Sequence, residues 1–231
     1  MKPIGDLFQS WLNLVYPPYC AACEATLMEE AGELCLNCLT GLPVSGITEV
    51  ENNWIAQELI EKVPPVSGHS LYSFRQGNNI QRLIHNIKYR NRPKAAYEIG
   101  LQHGTVLKTT LISQANAIVP VPMAAKRLAE RGYNQAYYYA DGLSKTMDIP
   151  LQELLLKDTF AQSQTKLGRE QRYQNVANSM RIPHPELVAG RHLIIADDVF
   201  TTGATMAACA RLLYDAGASH ISVVTMAIAR G

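Results

Sequence analysis

Leu193-Ile194-Ile195-Ala196-Asp197-Asp198-Val199-Phe200-Thr201-Thr202-Gly203-Ala204-Thr205 restricts the fold of this chain more than any other stretch. An apolar run ends in two carboxylates, passes through a Thr/Gly turn and enters a helical pattern. A strand built this way delivers acids and hydroxyls to the carboxyl edge of a sheet, where open α/β folds bind ligands. Gly203 permits a tight backbone turn, and Thr201, Thr202 and Thr205 supply hydroxyls. The N–H groups that open the following helix favour an anion. Asp197 and Asp198 repel a phosphate, yet they can accept hydrogen bonds from sugar hydroxyls or hold a hydrated Mg²⁺. Acids for a sugar beside a cradle for its phosphate describe a phosphosugar site. Read alone, Asp-Asp also fits an ordinary acidic turn. The ordered succession of strand, acids, Thr-Thr-Gly-x-Thr and helix argues for the site.

The 231 residues suit one full domain and a small one. A domain of ~150 residues buries roughly 70% of its unfolded surface, enough for an independent core. A net charge of +1 excludes a molecule that is basic throughout. The charge is uneven, however: from Val63 to Tyr97 there is no Asp or Glu, while Arg75, Arg82, Lys88, Arg90, Arg92 and Lys94 are basic. No run approaches the ~18 apolar residues of a membrane span. Residues 1–19 hold Asp6 and Pro17-Pro18 and lack a continuous apolar segment, so they do not read as a signal peptide. The expected location is the cytoplasm.

Four of the five cysteines fall in one window, Cys20-x-x-Cys23, eleven residues, then Cys35-x-x-Cys38. Each pair can present two thiolates from a tight knuckle, and two knuckles complete a tetrahedral zinc site. Two disulfides or a redox dithiol are the alternatives. The cytoplasmic expectation argues against the first, and a redox dithiol needs only one pair. So short a segment builds little core, so a structural zinc would supply much of its folding free energy. Cys209 lies among Met206, Ala210 and Leu213 and reads as a core residue.

Leu7, Phe8, Trp11, Leu12 and Val15 recur at helical spacing. A second helix is expected over Trp54 to Val63, and Pro64-Pro65 with Gly68 marks a boundary between residues 1–66 and 67–231. Strands are expected at Ser70–Phe74, Ala117–Val121, Arg191–Ala196 and His220–Ile228. Helices are expected at Asn79–Arg90, Pro93–Leu107 (weakened by Gly100 and Gly104), Ala136–Met147 and Gly203–Ala216. Strands alternating with helices imply an α/β fold with a mostly parallel sheet flanked by helices.

Two further blocks carry anion-binding equipment. Val119-Pro120-Val121-Pro122 leads through Lys126 and Arg127 to Arg131-Gly132-Tyr133-Asn134-Gln135, and Ser163-Gln164-Thr165-Lys166 precedes Arg169, Arg172 and Asn175. Each alone could be an ordinary solvated connection.

The Asp197–Thr205 segment resembles the 5-phosphoribosyl 1-pyrophosphate (PRPP) signature of type I phosphoribosyltransferases. The remaining blocks narrow this: Leu-x-Tyr-Pro-Pro-x-Cys-x-x-Cys, the second Cys pair, Ile-His-Asn-Ile-Lys-Tyr (Ile84 to Tyr89), Val-Pro-Val-Pro, Arg-Gly-Tyr-Asn-Gln and Asp-Asp-Val-Phe-Thr-Thr-Gly-Ala-Thr. From Leu14 to about Arg230 the chain is similar to the ComF family. That resemblance implies a type I phosphoribosyltransferase-like domain preceded by a small zinc-finger module with four cysteine ligands. It implies ribose hydroxyls on Asp197 and Asp198, the 5′-phosphate on Thr201, Thr202, Gly203, Ala204 and Thr205, and pyrophosphate facing Val121-Pro122. Arg131 and Asn134 would be closing-loop contacts, Mg²⁺ would arrive with PRPP, and His85 and Lys88 would approach the same cleft. It implies a link to DNA uptake, with single-stranded DNA and a helicase-like competence protein as partners. Lys157, Ala161 and Tyr133 depart from the usual Arg, Thr and Phe. Two functions remain open: Mg-dependent phosphoribosyl transfer, or a non-catalytic sensor or docking module in which the Arg75–Lys94 charges contact single-stranded DNA and Tyr72, Phe74, Tyr89 and Tyr97 stack its bases. The alternative, which the residues favour, is that Tyr72 and Phe74 are core strand residues and the charges serve the PRPP cleft. No segment reads as a pocket for an acceptor base.

Overall fold

The computed structural model describes residues 17–27, 32–60, 63, 66–157 and 179–229. The N-terminal helical pattern and the Ser163–Asn175 block lie outside the described residues. In chain order the main elements are α1 (Leu36–Gly41), α2 (Trp54–Ile60), β1 (Val66–Phe74), α3 (Asn79–Tyr89), α4 (Pro93–Leu107), β2 (Ala117–Pro120), α5 (Ala125–Arg131), α6 (Gln135–Met147), β3 (Leu156–Lys157), β4 (Met180–Arg181), β5 (His192–Phe200), α7 (Ala204–Asp215) and β6 (His220–Ala229).

Four strands pair in the order β1-β6-β5-β2, all parallel, and β3 with β4 forms a small antiparallel ribbon. The fold is the expected α/β type. The apolar run of β6 takes an inner position, where both faces are covered. Alternation along β5 sends Ile194 and Ala196 to one face and Leu193 and Ile195 to the other. On the first face they meet Ile80 and Leu83 of α3, Ile99 of α4 and Tyr139 of α6. On the second they meet Ile55 and Leu59 of α2 and Met206, Ala207 and Leu213 of α7.

Two expectations need correction. The first strand begins at Val66 rather than Ser70, and Gly68 lies inside it instead of marking a turn. Ile55 of α2 occupies the space above Gly68 that a Cβ would need. The strand that leads to the site is also longer than expected: β5 runs through Phe200, so both acids lie within it, with Asp197 opposite Thr225.

Gly100 and Gly104 do more than weaken α4. A Cβ on Gly100 would lie 2.3 Å from the Tyr139 carbonyl oxygen, and one on Gly142 would lie 2.1 Å from that of Tyr97. The paired glycines let the backbones of α4 and α6 touch.

The Cys-rich segment docks on α3 and α4. Ala21, Leu34, Cys38 and Leu42 share a cluster with Leu71, Tyr72 and Ile80. Asn86 Nδ2 donates to the Ala21 carbonyl at 2.9 Å, and Gln102 Nε2 to that of Leu39 at 3.1 Å. Arg92 pairs with Glu33 at 2.8 Å and lies 4.1 Å over the Tyr19 ring. Contacts therefore cross the 66/67 division, and α2, ahead of it, packs on β1.

Candidate phosphosugar site

At the carboxyl end of β5 the chain turns through Thr201 and Thr202, both exposed, into Gly203. Gly203 adopts φ +68° at the N-cap of α7, and a Cβ there would meet the Phe200 ring at 2.7 Å. Both facts call for glycine. Having no side chain, it offers no cap, so the first-turn N–H groups of α7 are open to an anion. Ala204 and Thr205, half-buried, begin the helix.

Asp198 is 5% exposed and points toward the α3 and α6 side. Its Oδ2 accepts from Gln135 Nε2 at 2.7 Å and pairs with Lys88 Nζ at 3.0 Å. Gln135 Oε1 in turn accepts from Arg131. The Arg131 guanidinium lies 5.5 Å over the ring of Tyr89, the residue after Lys88. Lys88, Asp198, Gln135, Arg131 and Tyr89 thus close a ring of contacts drawn from four elements.

Asp197 meets a different environment. Burial and the Asp198 charge push its carboxyl up to about 7, against the opposing pull of the Asp198 N–H, Lys88 and Lys157. The Asp198 N–H donates to Asp197 Oδ1 at 2.8 Å. Lys157, half-buried on β3, is itself lowered by burial, with Cys209 and Asp197 acting the other way and Arg127 adding to the fall. Cys209 is fully buried, as expected for a core residue, and burial together with Asp197 holds its thiol up at about 12.

Val121 continues the pairing of β2, its N–H donating to the Ala196 carbonyl at 2.9 Å, so the Val121-Pro122 turn lies beside the acids. Asn134 holds that turn: its Nδ2 donates to the Val121 carbonyl at 3.0 Å while its Oδ1 caps α6 through the Ala136 N–H at 3.1 Å. Tyr133 is buried, with its hydroxyl donating to the Ile87 carbonyl. His85 is exposed one turn from Tyr89, ring centroids 5.0 Å apart. Tyr72 is 1% exposed and so is not free to stack a base, while Phe74 is half-buried against the core. Gln135 lies in the expected Arg131–Gln135 block but had no role assigned to it. The sequence signal for it was its place directly after Arg131-Gly132-Tyr133-Asn134, at the first position of a helix.

The four N-terminal cysteines converge. Their sulfurs all lie within 4.8 Å of one another, Cys20 and Cys38 buried and the others partly so. Tetrahedral zinc with Zn–S of about 2.3 Å requires sulfurs about 3.8 Å apart, and Cys23 and Cys35 are 3.7 Å apart. Burial raises the Cys20 thiol, but the N–H groups of Cys35, Cys23 and Ala22 outweigh it and bring it down to about 7. Burial and the other three cysteines drive Cys38 upward. The sulfur spacing fits four thiolates around one divalent cation. The set can hold a metal such as zinc.

Residues 128–231 match the phosphoribosyl transferase domain family. Over 146 residues, 61% of this chain, the sequence is 32% identical to DNA utilization protein YhgH of Escherichia coli (strain K12), covering 63% of that protein. Over 213 residues, 89% of this chain, it is 29% identical to Competence protein F of Haemophilus influenzae, covering 82% of it. Over 212 residues, 90% of this chain, it is 24% identical to Competence protein ComFC of Bacillus subtilis, covering 82%. These relatives and the matched domain support the ComF family for this chain. The match spans about 63% of the length of the YhgH proteins. Among solved structures it is similar to glutamine PRPP amidotransferase from B. subtilis complexed with ADP and GMP (TM-score 0.42, 17% identity, 61% of this chain and 30% of that one). It is also similar to a purine phosphoribosyltransferase from Pyrococcus horikoshii (TM-score 0.34, 15% identity, 57% of this chain and 80% of that one). Among the described residues no helix is long and apolar enough to cross a membrane.

Proposed function

We propose that this protein binds PRPP at the carboxyl edge of β5 and transfers its phosphoribosyl group, in DNA uptake or nucleotide metabolism. One observation carries the reading: a buried, aimed acid and an uncapped helix start lie within one strand-to-helix turn, Asp198 and Gly203. Asp197 and Asp198 receive the ribose hydroxyls. Thr201, Thr202, Gly203, Ala204 and Thr205 cradle the 5′-phosphate, and the Val121-Pro122 turn faces the pyrophosphate. In the transfer, the bond from the anomeric carbon to a pyrophosphate oxygen breaks and an acceptor lone pair forms the new bond. Positive charge develops on the sugar ring, so the work of the protein is positioning and charge placement. Mg²⁺ bound with the substrate would neutralise the leaving pyrophosphate. Lys88 and Gln135 hold Asp198 while the sugar docks. Cys20, Cys23, Cys35 and Cys38 hold a structural zinc ion, giving a metal-knuckle unit before residue 67 and a transferase-like unit after it. The names of the relatives, DNA utilization and competence, support a role in handling DNA. Single-stranded DNA and a helicase-like competence protein are the partners that fit such a role, and the cytoplasm is the site of action that fits it.

A second reading, a phosphosugar sensor or docking component without transfer, is favoured by one observation. Lys88 and Gln135 both engage Asp198 Oδ2, which suits an acid held in a fixed binding pose. Isothermal titration of PRPP with Mg²⁺ into wild type and Asp198→Ala tests both readings. Micromolar binding that vanishes in the variant is the expected result, and pyrophosphate release on adding bases or nucleosides then separates transfer from sensing. A folded, zinc-loaded wild type that does not bind PRPP rejects transfer and sensing and leaves the docking role, for which single-stranded DNA binding with steep salt dependence is the test.

A further inference from the structure

A glutamine side chain carries a donor and an acceptor at the same end. Turned one way it donates to a carboxylate; turned the other, its carbonyl oxygen faces the negative charge. Gln135 opens α6, its backbone fixed by the Asn134 cap, and it is 8% exposed. Its Nε2 donates to Asp198 Oδ2 at 2.7 Å, and its Oε1 accepts from Arg131 Nη1. An arginine can only donate and an ionised carboxylate can only accept, so both contacts demand the same amide orientation. Arg131 ends α5, and Gly132, at φ +84°, reverses the chain behind it. The Tyr89 ring 5.5 Å away steadies the guanidinium from α3.

We propose that Arg131 and Gln135 are positioning residues for Asp198. Arg131 selects the end of the Gln135 amide that faces the acid, and the amide aims the carboxylate at the hydroxyls of its ligand. Arg131, expected from the sequence to touch the ligand, acts one residue further back. The proposal deepens the phosphoribosyl reading and rests on it.

The test titrates PRPP with Mg²⁺ into the full, zinc-loaded chain as wild type, Arg131→Met, Gln135→Leu and the double variant. Each single change is expected to weaken binding roughly ten- to a hundredfold, the scale of one lost hydrogen bond to a charged group. The double variant is expected to bind no more weakly than Gln135→Leu alone. Losses that multiply would mean that Arg131 contacts the ligand itself, and would overturn the proposal. So would an Arg131→Met protein with wild-type affinity.

A ligand-free readout accompanies the titration. The Gln135 side-chain amide, followed by ¹⁵N NMR, is expected to be protected from exchange in wild type and to lose that protection in Arg131→Met. Unchanged protection overturns the proposal. This measurement needs only a substitution at a partly exposed helix end, so it stands even if Gln135→Leu does not fold. Were wild type to bind no PRPP, the phosphoribosyl reading would fail, and the amide measurement would still decide whether Arg131 orients Gln135.

Discussion

Asp197 and Asp198 are neighbours in one strand, and their surroundings separate them. Asp198 is paired with Lys88 and Gln135. Asp197 is pushed up to about 7, chiefly by burial and then by the Asp198 charge. A carboxyl whose folded pKa lies above its unfolded value binds more protons when folded, so its penalty grows as pH rises from about 4 to 7 and is complete above that. Asp197→Asn is therefore expected to stabilise the fold by about 1–2 kcal/mol at pH 8 and by little near pH 4, while abolishing PRPP binding. The measurement is the difference in urea unfolding between variant and wild type across that range, where a flat difference refutes the expectation. His192, brought down to about 4 by burial and by His220, titrates in both proteins and cancels. The acid pair, the glycine and the hydroxyls were legible from residue types in order. Gln135 was not, because an amide in a polar run has no periodicity or charge of its own, and its use depends on where Asp198 arrives.

At the scale of elements, apolar periodicity located the main helices and unbroken apolar runs located the central strands, which are covered on both faces. Glycines were harder. In sequence, Gly100 reads only as a weak helix position; in the fold it and Gly142 are the contact between α4 and α6. Gly142→Ala should gain about 1 kcal/mol of helix propensity and lose more, about 1–3 kcal/mol net, because a Cβ 2.1 Å from the Tyr97 carbonyl forces the helices apart. Chemical denaturation decides it: equal or higher stability would show that α4 and α6 can separate freely. The aromatic residues followed the same logic. Tyr72 and Phe74 turned inward with β1, leaving Tyr89 exposed on α3.

Across the whole molecule, the Cys-rich segment shares one core cluster with α3, α4 and the sheet and is clamped by Asn86, Arg92 and Gln102. A metal held by the four cysteines would contribute folding free energy, and its effect should extend beyond the knuckle. Chelation, or Cys38→Ser, is expected to lower the melting temperature of the entire chain by several degrees, in one cooperative transition. An unshifted main transition would show that residues 67–231 fold without support from the knuckle. The sequence alone determined the class of fold, the four cysteines that can hold a metal and the acidic strand-to-helix turn, because each is written in residue type and local spacing. Only the tertiary structure decided which cation and which amide hold Asp198. Lys88, Arg131 and Gln135 lie on three different helices, and their meeting depends on how those helices pack around one end of the sheet.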